Sequence, residues 1–158
     1  MSLPRRIRAP ELHAGNDAGV AALPGTGRIA LSTDTFVVTP HFFPGGDIGR
    51  LAVCGTVNDV ATSGARVRYL SCGFILEEGF PLDDLRRICQ SMAETAREAG
   101  VAIITGDTKV VNHGSADGVY INTAGVGEVP EAVRFLALRA SRAMSFLSLA
   151  RLATTASP

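Results

Sequence analysis

The sequence has few cysteines, no excess of charge and no long apolar segment. Its three cysteines, Cys54, Cys72 and Cys89, lie in separate segments without Cys-x-x-Cys spacing, which argues against a zinc knuckle or a disulfide framework and favours reduced thiols in a cytoplasm. Lys plus Arg number 15 and Asp plus Glu number 15, so no overall field draws the protein to nucleic acid or an anionic membrane. No apolar window approaches the length that crosses a bilayer, and no apolar segment follows the arginines of the first ten residues. We therefore expect a soluble protein without an export signal.

The 158 residues, 46% of them hydrophobic, suffice for one domain with a single core. The composition changes near residue 131. All 17 glycines lie between Gly15 and Gly127, and only arginines carry charge after Glu131. We therefore divide the chain into a body, residues 1–131, and a tail of different character, residues 132–158.

Hydrophobic periodicity in the body predicts alternating strands and helices. Strands are predicted over 28–38, 66–76, 101–105 and 118–126, and helices over 48–61 and 81–99. Asp47 is a candidate N-cap for the first helix, and Gly100 ends the second. The order β-α-β-α-β-β leaves both helices free to cover one face of a single mixed or antiparallel sheet. The pattern predicts an α+β layer.

Three aspartates stand where core packing does not explain them. Asp34 interrupts a predicted strand, Asp59 follows Asn58 near the end of the first helix, and Asp107 comes directly after Gly106 at the end of a strand. Carboxylates from distant segments hold hard cations such as Mg²⁺, usually with phosphate oxygens completing the shell. Taken singly, each aspartate is better explained as a turn or surface residue. The residues alone leave both interpretations open.

A glycine pair and the single lysine are candidate phosphate contacts. Gly45 and Gly46 precede the first predicted helix, and backbone N–H groups at a helix N-terminus can bind a phosphate. The sequence has neither the Gly-Lys-Ser/Thr ending of a Walker A loop nor GxGxxG after a strand. Lys109 could reach a phosphate or be an ordinary solvated lysine. The cysteines fall at apolar positions, where free cysteine packs as a small hydrophobe, so we assign no catalytic thiol.

Five segments of the sequence together resemble one protein family. They are STDTFVV, HFFPGGDIGRLAVCGTVNDVA, RYLSCGFILEEGFPLDDL, GDTKVV and INTAGVG. In this order, over roughly residues 16–130, they resemble the N-terminal half of HypE, a maturation protein of nickel-iron hydrogenases. HypE is similar to aminoimidazole ribonucleotide synthetase, selenophosphate synthetase and thiamine-monophosphate kinase, which use ATP to activate an oxygen. The resemblance implies an α+β N-terminal domain that pairs with a second copy to close a β-barrel.

The same resemblance implies a reaction and its participants. HypE dehydrates a carbamoyl group on a C-terminal cysteine thiol to a thiocyanate at the expense of ATP, and so supplies the cyanide ligands of the hydrogenase iron. Implied cofactors are ATP and Mg²⁺, and implied partners are a second copy, HypF, HypC and HypD. Carried over residue by residue, the metal carboxylates are Asp34, Asp59 and Asp107, and the phosphate or metal neighbours are Asn58, Thr108 and Lys109.

The sequence departs from the family at both ends. Residues 1–11 lack the family's glycine-rich start, and the C-terminal domain with its terminal cysteine is absent, so we expect the 158-residue chain to lack full activity. One possible choice of codons for residues 142–158 encodes a second peptide when the reading frame starts one base earlier. That peptide, PGDVVLVSGPIGDHGIA, is the continuation that the family resemblance implies. We infer a frameshift between roughly Val133 and Ser141. A genuine helical tail is the alternative.

Two other functions stay open at this point. One is another ATP-using member of the superfamily, of the thiamine-monophosphate or selenophosphate kinase type, although RYLSCGFILEEG and CGTVNDVA fit HypE better. The other is a non-catalytic fragment that pairs with itself or docks to HypF or HypC. If the chain binds a partner but does not bind Mg-ATP, the non-catalytic interpretation is favoured.

Overall fold

One mixed sheet and two helices form the body of the protein. The structure, a computed structural model, describes residues 19–22, 27–131 and 133. In this part of the chain the elements are β1 (Gly19–Ala22), β2 (Arg28–Phe36), β3 (Phe42–Phe43), β4 (Gly46–Asp47), α1 (Ile48–Thr62), β5 (Arg66–Glu77), α2 (Leu82–Ala99), β6 (Ala102–Val111) and β7 (Val119–Val129).

The sheet has five strands in the order β1-β2-β7-β5-β6. Only β5 and β6 pair in parallel, because α2 carries the chain back between them, and the other neighbours pair antiparallel. The short strands β3 and β4 form a separate hairpin before α1. The predicted α+β class and the predicted helices on one face of a single sheet are confirmed.

The start of α1 and the end of α2 lie where the sequence predicts. The Asp47 carboxylate accepts hydrogen bonds from the N–H groups of Gly49 (2.7 Å) and Arg50 (3.1 Å) and so caps α1. Gly100 ends α2 in the left-handed conformation, at φ 68°, which glycine adopts without steric cost.

The core lies between the helices and one face of the sheet. Its largest fully buried apolar side chains are those of Ile48, Leu70, Ile88, Ile121 and Val53. The helices approach closely at Gly49, where a Cβ atom would lie 2.6 Å from the carbonyl oxygen of Ile88. This close approach brings α1 and α2 into one layer.

The opposite face of the sheet, called the open face below, carries no helix within the described residues. Leu31 (54% exposed), Tyr69 (47%) and Ile75 (40%) are among its side chains. Large exposed apolar groups on one surface are typical of a surface that another molecule covers.

Strand β6 is longer than the sequence predicts. The prediction ended this strand at residue 105 and placed Asp107 after it, whereas β6 runs to Val111. The Gly-Asp pair suggested a turn, but the glycine serves a close strand contact. A Cβ atom on Gly106 would lie 2.5 Å from the carbonyl oxygen of Cys72 on β5, just beyond a register shift. Strand β1 and the β3–β4 hairpin were not predicted.

The predicted tail, residues 132–158, lies outside the described residues except for Val133. Its proposed frameshift, and the domain boundary at residue 131, stay predictions. Among the described residues, no helix is both long and apolar enough to cross a membrane.

Glu77 anchors the loop between β6 and β7. Its carboxylate accepts hydrogen bonds from the N–H groups of Gly114 (2.5 Å) and Gly118 (3.0 Å) and lies 3.3 Å from His113 Nδ1. These two backbone bonds, and to a smaller extent the His113 charge, lower the pKa of the Glu77 carboxyl.

We expect protection of this loop to be lost in acid. A carboxyl whose pKa is lowered on folding stabilises the fold above its unfolded pKa, here 4.5, and the contribution disappears as the pH falls through the folded value. Hydrogen-exchange protection of the Gly114 and Gly118 amides should therefore fall below pH 4.5, and Glu77→Gln should remove this pH dependence. The exposed neighbour Glu78 is the control. A Glu78→Gln variant that abolishes the pH dependence equally would contradict the assignment.

Candidate functional site

Asp34 and Asp59 lie on the helix side of the sheet, where α1 crosses β2. The Thr56 hydroxyl is 3.2 Å from Asp34 Oδ2, and the Ser32 hydroxyl is 3.4 Å from Asp59 Oδ2. Ser32 and Asp34 share a face because they are two residues apart on a strand, and Thr56 and Asp59 are neighbours because they are three apart on a helix. We call Asp34 and Asp59 the helix-side pair.

Two buried threonines connect this pair to the core. Thr56 and Thr123 are fully buried, with their hydroxyl oxygens 2.6 Å apart, and Thr123 donates to the carbonyl oxygen of Ala52 at 2.9 Å. Each hydroxyl has one proton. When Thr123 donates to Ala52, Thr56 donates either to Thr123 or to Asp34. The Asp34 carboxylate is thus positioned by the core while it keeps lone pairs for a ligand.

Sequence reasoning missed these two threonines. Their only signal is a polar residue at a position where the pattern calls for an apolar one. Thr56 stands among the buried positions of α1, and Thr123 continues the inward-facing row that contains Ile121. Such a pattern can indicate a buried hydrogen-bond network, but it does not reveal the partner.

Asp107 and Lys109 lie on the open face of the sheet. Together with Thr35, Tyr120 and Asn122, they line a cavity of about 180 Å³. The strand pairs Thr35–Asn122, Asn122–Gly73 and Gly73–Asp107 form one continuous row across the sheet. We call Asp107 and Lys109 the open-face pair.

The two pairs do not meet within one chain. Asp34 pairs with Thr123, in the adjacent row, whose side chains point to the helices, so Asp34 and Asp107 lie on opposite faces. Two strands, β7 and β5, separate β2 from β6, which corresponds to about 14 Å at the usual strand spacing. Among the described residues, no three His, Cys, Asp or Glu side chains are close enough to hold a metal ion. Asp34 and Asp59 lie on the same side of the sheet, where α1 crosses β2, and Asp107 belongs to a row on the other face.

The predicted neighbours divide in the same way. Asn58 is exposed on α1 next to Asp59, within the helix-side region. Thr108 precedes Lys109 on β6 and therefore points to the other face, into a cleft that Cys72 also lines. Within one chain, Thr108 and Lys109 therefore point to different faces of the sheet and do not contact the same ligand.

The N-terminus of α1 is occupied by a side chain. Asp47 takes the N–H groups there, and its other carboxylate oxygen accepts the Ser91 hydroxyl at 2.6 Å. A carboxylate at this position repels a phosphate, so the geometry favours a helix cap over the predicted phosphate contacts of Gly45 and Gly46.

Two of the three thiols are poor nucleophiles at neutral pH. Burial, and then the nearby Cys89, raise the pKa of the Cys72 thiol to about 11, and burial also raises the pKa of Cys89. Both therefore stay protonated. Cys72 is buried, as expected of a packing residue, whereas Cys89 is exposed on α2, so the prediction that it packs as a core residue is wrong.

Three comparisons relate the chain to known proteins. A family model described as AIR synthase related protein, N-terminal domain, matches residues 15–129. The carbamoyl dehydratase HypE of Azotobacter vinelandii is 61% identical over 126 residues, which are 80% of this chain and 37% of that protein. A crystal structure of a HypE-HypF complex aligns with a TM-score of 0.74 and 52% identity over 81% of this chain and 41% of that one. HypE in complex with ATP aligns with a TM-score of 0.65 and 58% identity over 80% of this chain and 37% of that one. The chain thus spans less than half the length of these relatives.

Proposed function

The chain belongs to the AIR synthase related protein family through its N-terminal domain, and because the relatives above are HypE proteins, we propose that it is the ATP-binding domain of a HypE-type carbamoyl dehydratase. The observation that carries this proposal is the 61% identity over 126 residues to a carbamoyl dehydratase HypE. In the proposed reaction, ATP activates the oxygen of a carbamoyl group on a cysteine thiol outside this domain. The γ-phosphoryl group is transferred to that oxygen with release of ADP, the C–O bond then breaks with phosphate as the leaving group, and the nitrogen gives up its two protons. The product is a thiocyanate, the source of a cyanide ligand.

The helix-side pair fits a magnesium ion. Asp34 and Asp59 supply carboxylate oxygens, the ligands that Mg²⁺ prefers, and neighbouring hydroxyls orient both groups. Bound Mg²⁺ would neutralise the charge that develops on the phosphate oxygens. Asn58 lies beside the pair and can donate to a phosphate. In this proposal the carboxylates hold the ion and do not attack.

A second copy is proposed to complete the site. The edge of β2 beyond Leu31 has no strand next to it within the described residues, because β1 pairs only with residues 28–31. Strand β6 is the other edge of the sheet. A barrel closed by two copies joins these edges and covers the apolar open face, so that β6 of one copy lies next to β2 of the other. Asp107 also lines the cleft on the helix side of β6, together with Thr108, and from that edge it can lie near Asp34 of the other copy.

The remaining partners rest on the relatives. HypF is proposed as a partner because a relative 52% identical to this chain forms a HypE-HypF complex. HypC and HypD are proposed as acceptors of the cyanide group, and a cytoplasmic location is proposed with them. Binding of Mg-ATP is proposed as this chain's part in the activity, and dehydration as that of the longer protein.

Substitution of Asp59 tests the proposal. We expect Asp59→Ala to weaken Mg-ATP binding at least tenfold in isothermal titration calorimetry, since it removes a charged metal ligand. Asp83→Ala is the matched control, because Asp83 is an exposed aspartate on α2 that pairs with Arg86. Chelation of the metal by EDTA should abolish wild-type binding. Equal affinity for Asp59→Ala, wild type and the EDTA-treated protein would refute the proposed site.

A further inference from the structure

A cleft lined by three arginines lies at one end of the sheet. The first residues of β2 and β5 and the last residues of β7 enclose a volume of about 530 Å³, called the arginine cleft below. Its charged residues are Arg28, Arg66, Arg68 and Glu128. Arg28 and Asp34 are six residues apart along β2, about 20 Å in a strand, so the cleft is separate from the proposed nucleotide site.

Strand register brings these residues together. Glu128 pairs with Ile29 on one side and with Arg66 on the other, so the three share a row on the open face. The register shifts between Val67 and Tyr69, which makes Arg68 an additional residue that reaches the same carboxylate. Arg66 and Arg68 are two residues apart and share the open face, and the bulge keeps Tyr69 on that face as well.

The cleft has more positive than negative charge. Arg68 Nη2 lies 2.9 Å from Glu128 Oε2, and this ion pair neutralises both groups. Arg28 Nη2 donates to the carbonyl oxygens of Pro130 (2.8 Å) and Val133 (2.6 Å), which orient its guanidinium but leave its charge uncompensated. Arg66 has no ion-pair partner among the described residues.

This excess is local to the cleft. The formal net charge of the whole sequence is zero, so the cleft does not reflect a generally basic protein. Within the described ranges, four arginines form ion pairs with carboxylates and three do not. The three are Arg28, Arg66 and Arg97, and the first two line the same cleft.

We propose that the arginine cleft binds a phosphate group. Arg66 presents two parallel N–H donors that match the spacing of phosphate oxygens. Both Nη2 protons of Arg28 are donated to carbonyl oxygens, so Arg28 contributes its charge and single donors from Nη1 and Nε. The two uncompensated guanidiniums balance a phosphate dianion. The backbone carbonyls already hold Arg28 in place, so little of its side-chain entropy is lost on binding. Arg66 supplies the second charge from β5, on the other side of β7.

Titration of the whole chain with inorganic phosphate tests this inference. We expect wild-type binding that weakens as salt is added, because the cleft is open to solvent. Arg66→Gln should weaken phosphate binding at least tenfold, and Arg66→Lys, which keeps the charge but not the fork, should fall between them. Arg97→Gln is the control, since Arg97 also lacks an ion pair in the described part of the chain but lies on α2.

The outcomes separate this inference from the proposed function. Circular dichroism first establishes that each variant is folded, and Arg66→Lys carries the test if Arg66→Gln does not fold. Phosphate binding should persist in Asp59→Ala. If phosphate binding is lost in Asp59→Ala and retained in Arg66→Gln, the phosphate binds at the proposed nucleotide site and the inference is overturned. Absence of binding by the wild-type chain, or equal affinity for wild type and Arg66→Gln, would also overturn it.

Discussion

Replacing Ile121 by alanine should lower the free energy of unfolding by about 3 kcal/mol. Ile121 is fully buried in β7 and pairs with Phe36 of β2 and Phe74 of β5. Truncation removes apolar contacts with the helices and leaves a cavity that the central strand cannot close by moving, because it is held by neighbours on both sides. Urea unfolding followed by circular dichroism measures the change.

Ile104→Ala is the matched control for this prediction. Ile104 has the same side chain, but it lies on the edge strand β6 and is 63% exposed. Its truncation should change the free energy of unfolding by no more than about 0.5 kcal/mol. The comparison is made at a concentration where the chain is monomeric, because the proposed second copy would cover β6. A loss at Ile104 as large as that at Ile121 would then contradict a core centred on β7.

Local chemistry made the helices and most strands predictable. The Asp47 cap, the left-handed Gly100 and the amphipathic pattern of α2 each act within a few residues, so the sequence contains them directly. Strand β1 has only four residues, GVAA, and three of them are glycine and alanine, which are depleted in strands. The extension of β6 depends on close contact with β5, which a Gly-Asp pair does not reveal.

The candidate site was predictable as a set of residues and not as an arrangement. Alternation along one strand shows that Asp107 and Lys109 share a face, but the faces of Asp34 and Asp107 are related only through the registers of three strand pairs. No pattern in a single sequence specifies those registers. The positions had suggested three carboxylates around one ion, whereas one copy provides two of them together.

Asp59 and Asp107 are proposed to act from different copies, so two variants that are each inactive should restore Mg-ATP binding when they form a mixed dimer. If the proposed second copy supplies Asp107, neither Asp59→Ala nor Asp107→Ala should bind Mg-ATP well by itself. A mixed dimer would contain one intact site, formed by Asp59 of the Asp107→Ala chain and Asp107 of the Asp59→Ala chain. Random mixing of equal amounts should then restore about a quarter of the wild-type sites. Calorimetric stoichiometry after unfolding and refolding the mixture together measures this fraction.

The result distinguishes a shared site from two separate ones. Mixing Asp59→Ala with Asp34→Ala is the control, because these two residues lie together in one copy. In that mixture every site lacks one of the two carboxylates whichever copies combine, so no binding should return. Restoration in the first mixture and not in the second requires that Asp59 and Asp107 act from different chains. Failure of both mixtures, with dimers present and Asp107→Ala inactive by itself, would contradict a site shared between copies. If Asp107 were outside the site, Asp107→Ala would instead bind Mg-ATP like the wild type, and the first mixture would keep about half of the wild-type sites.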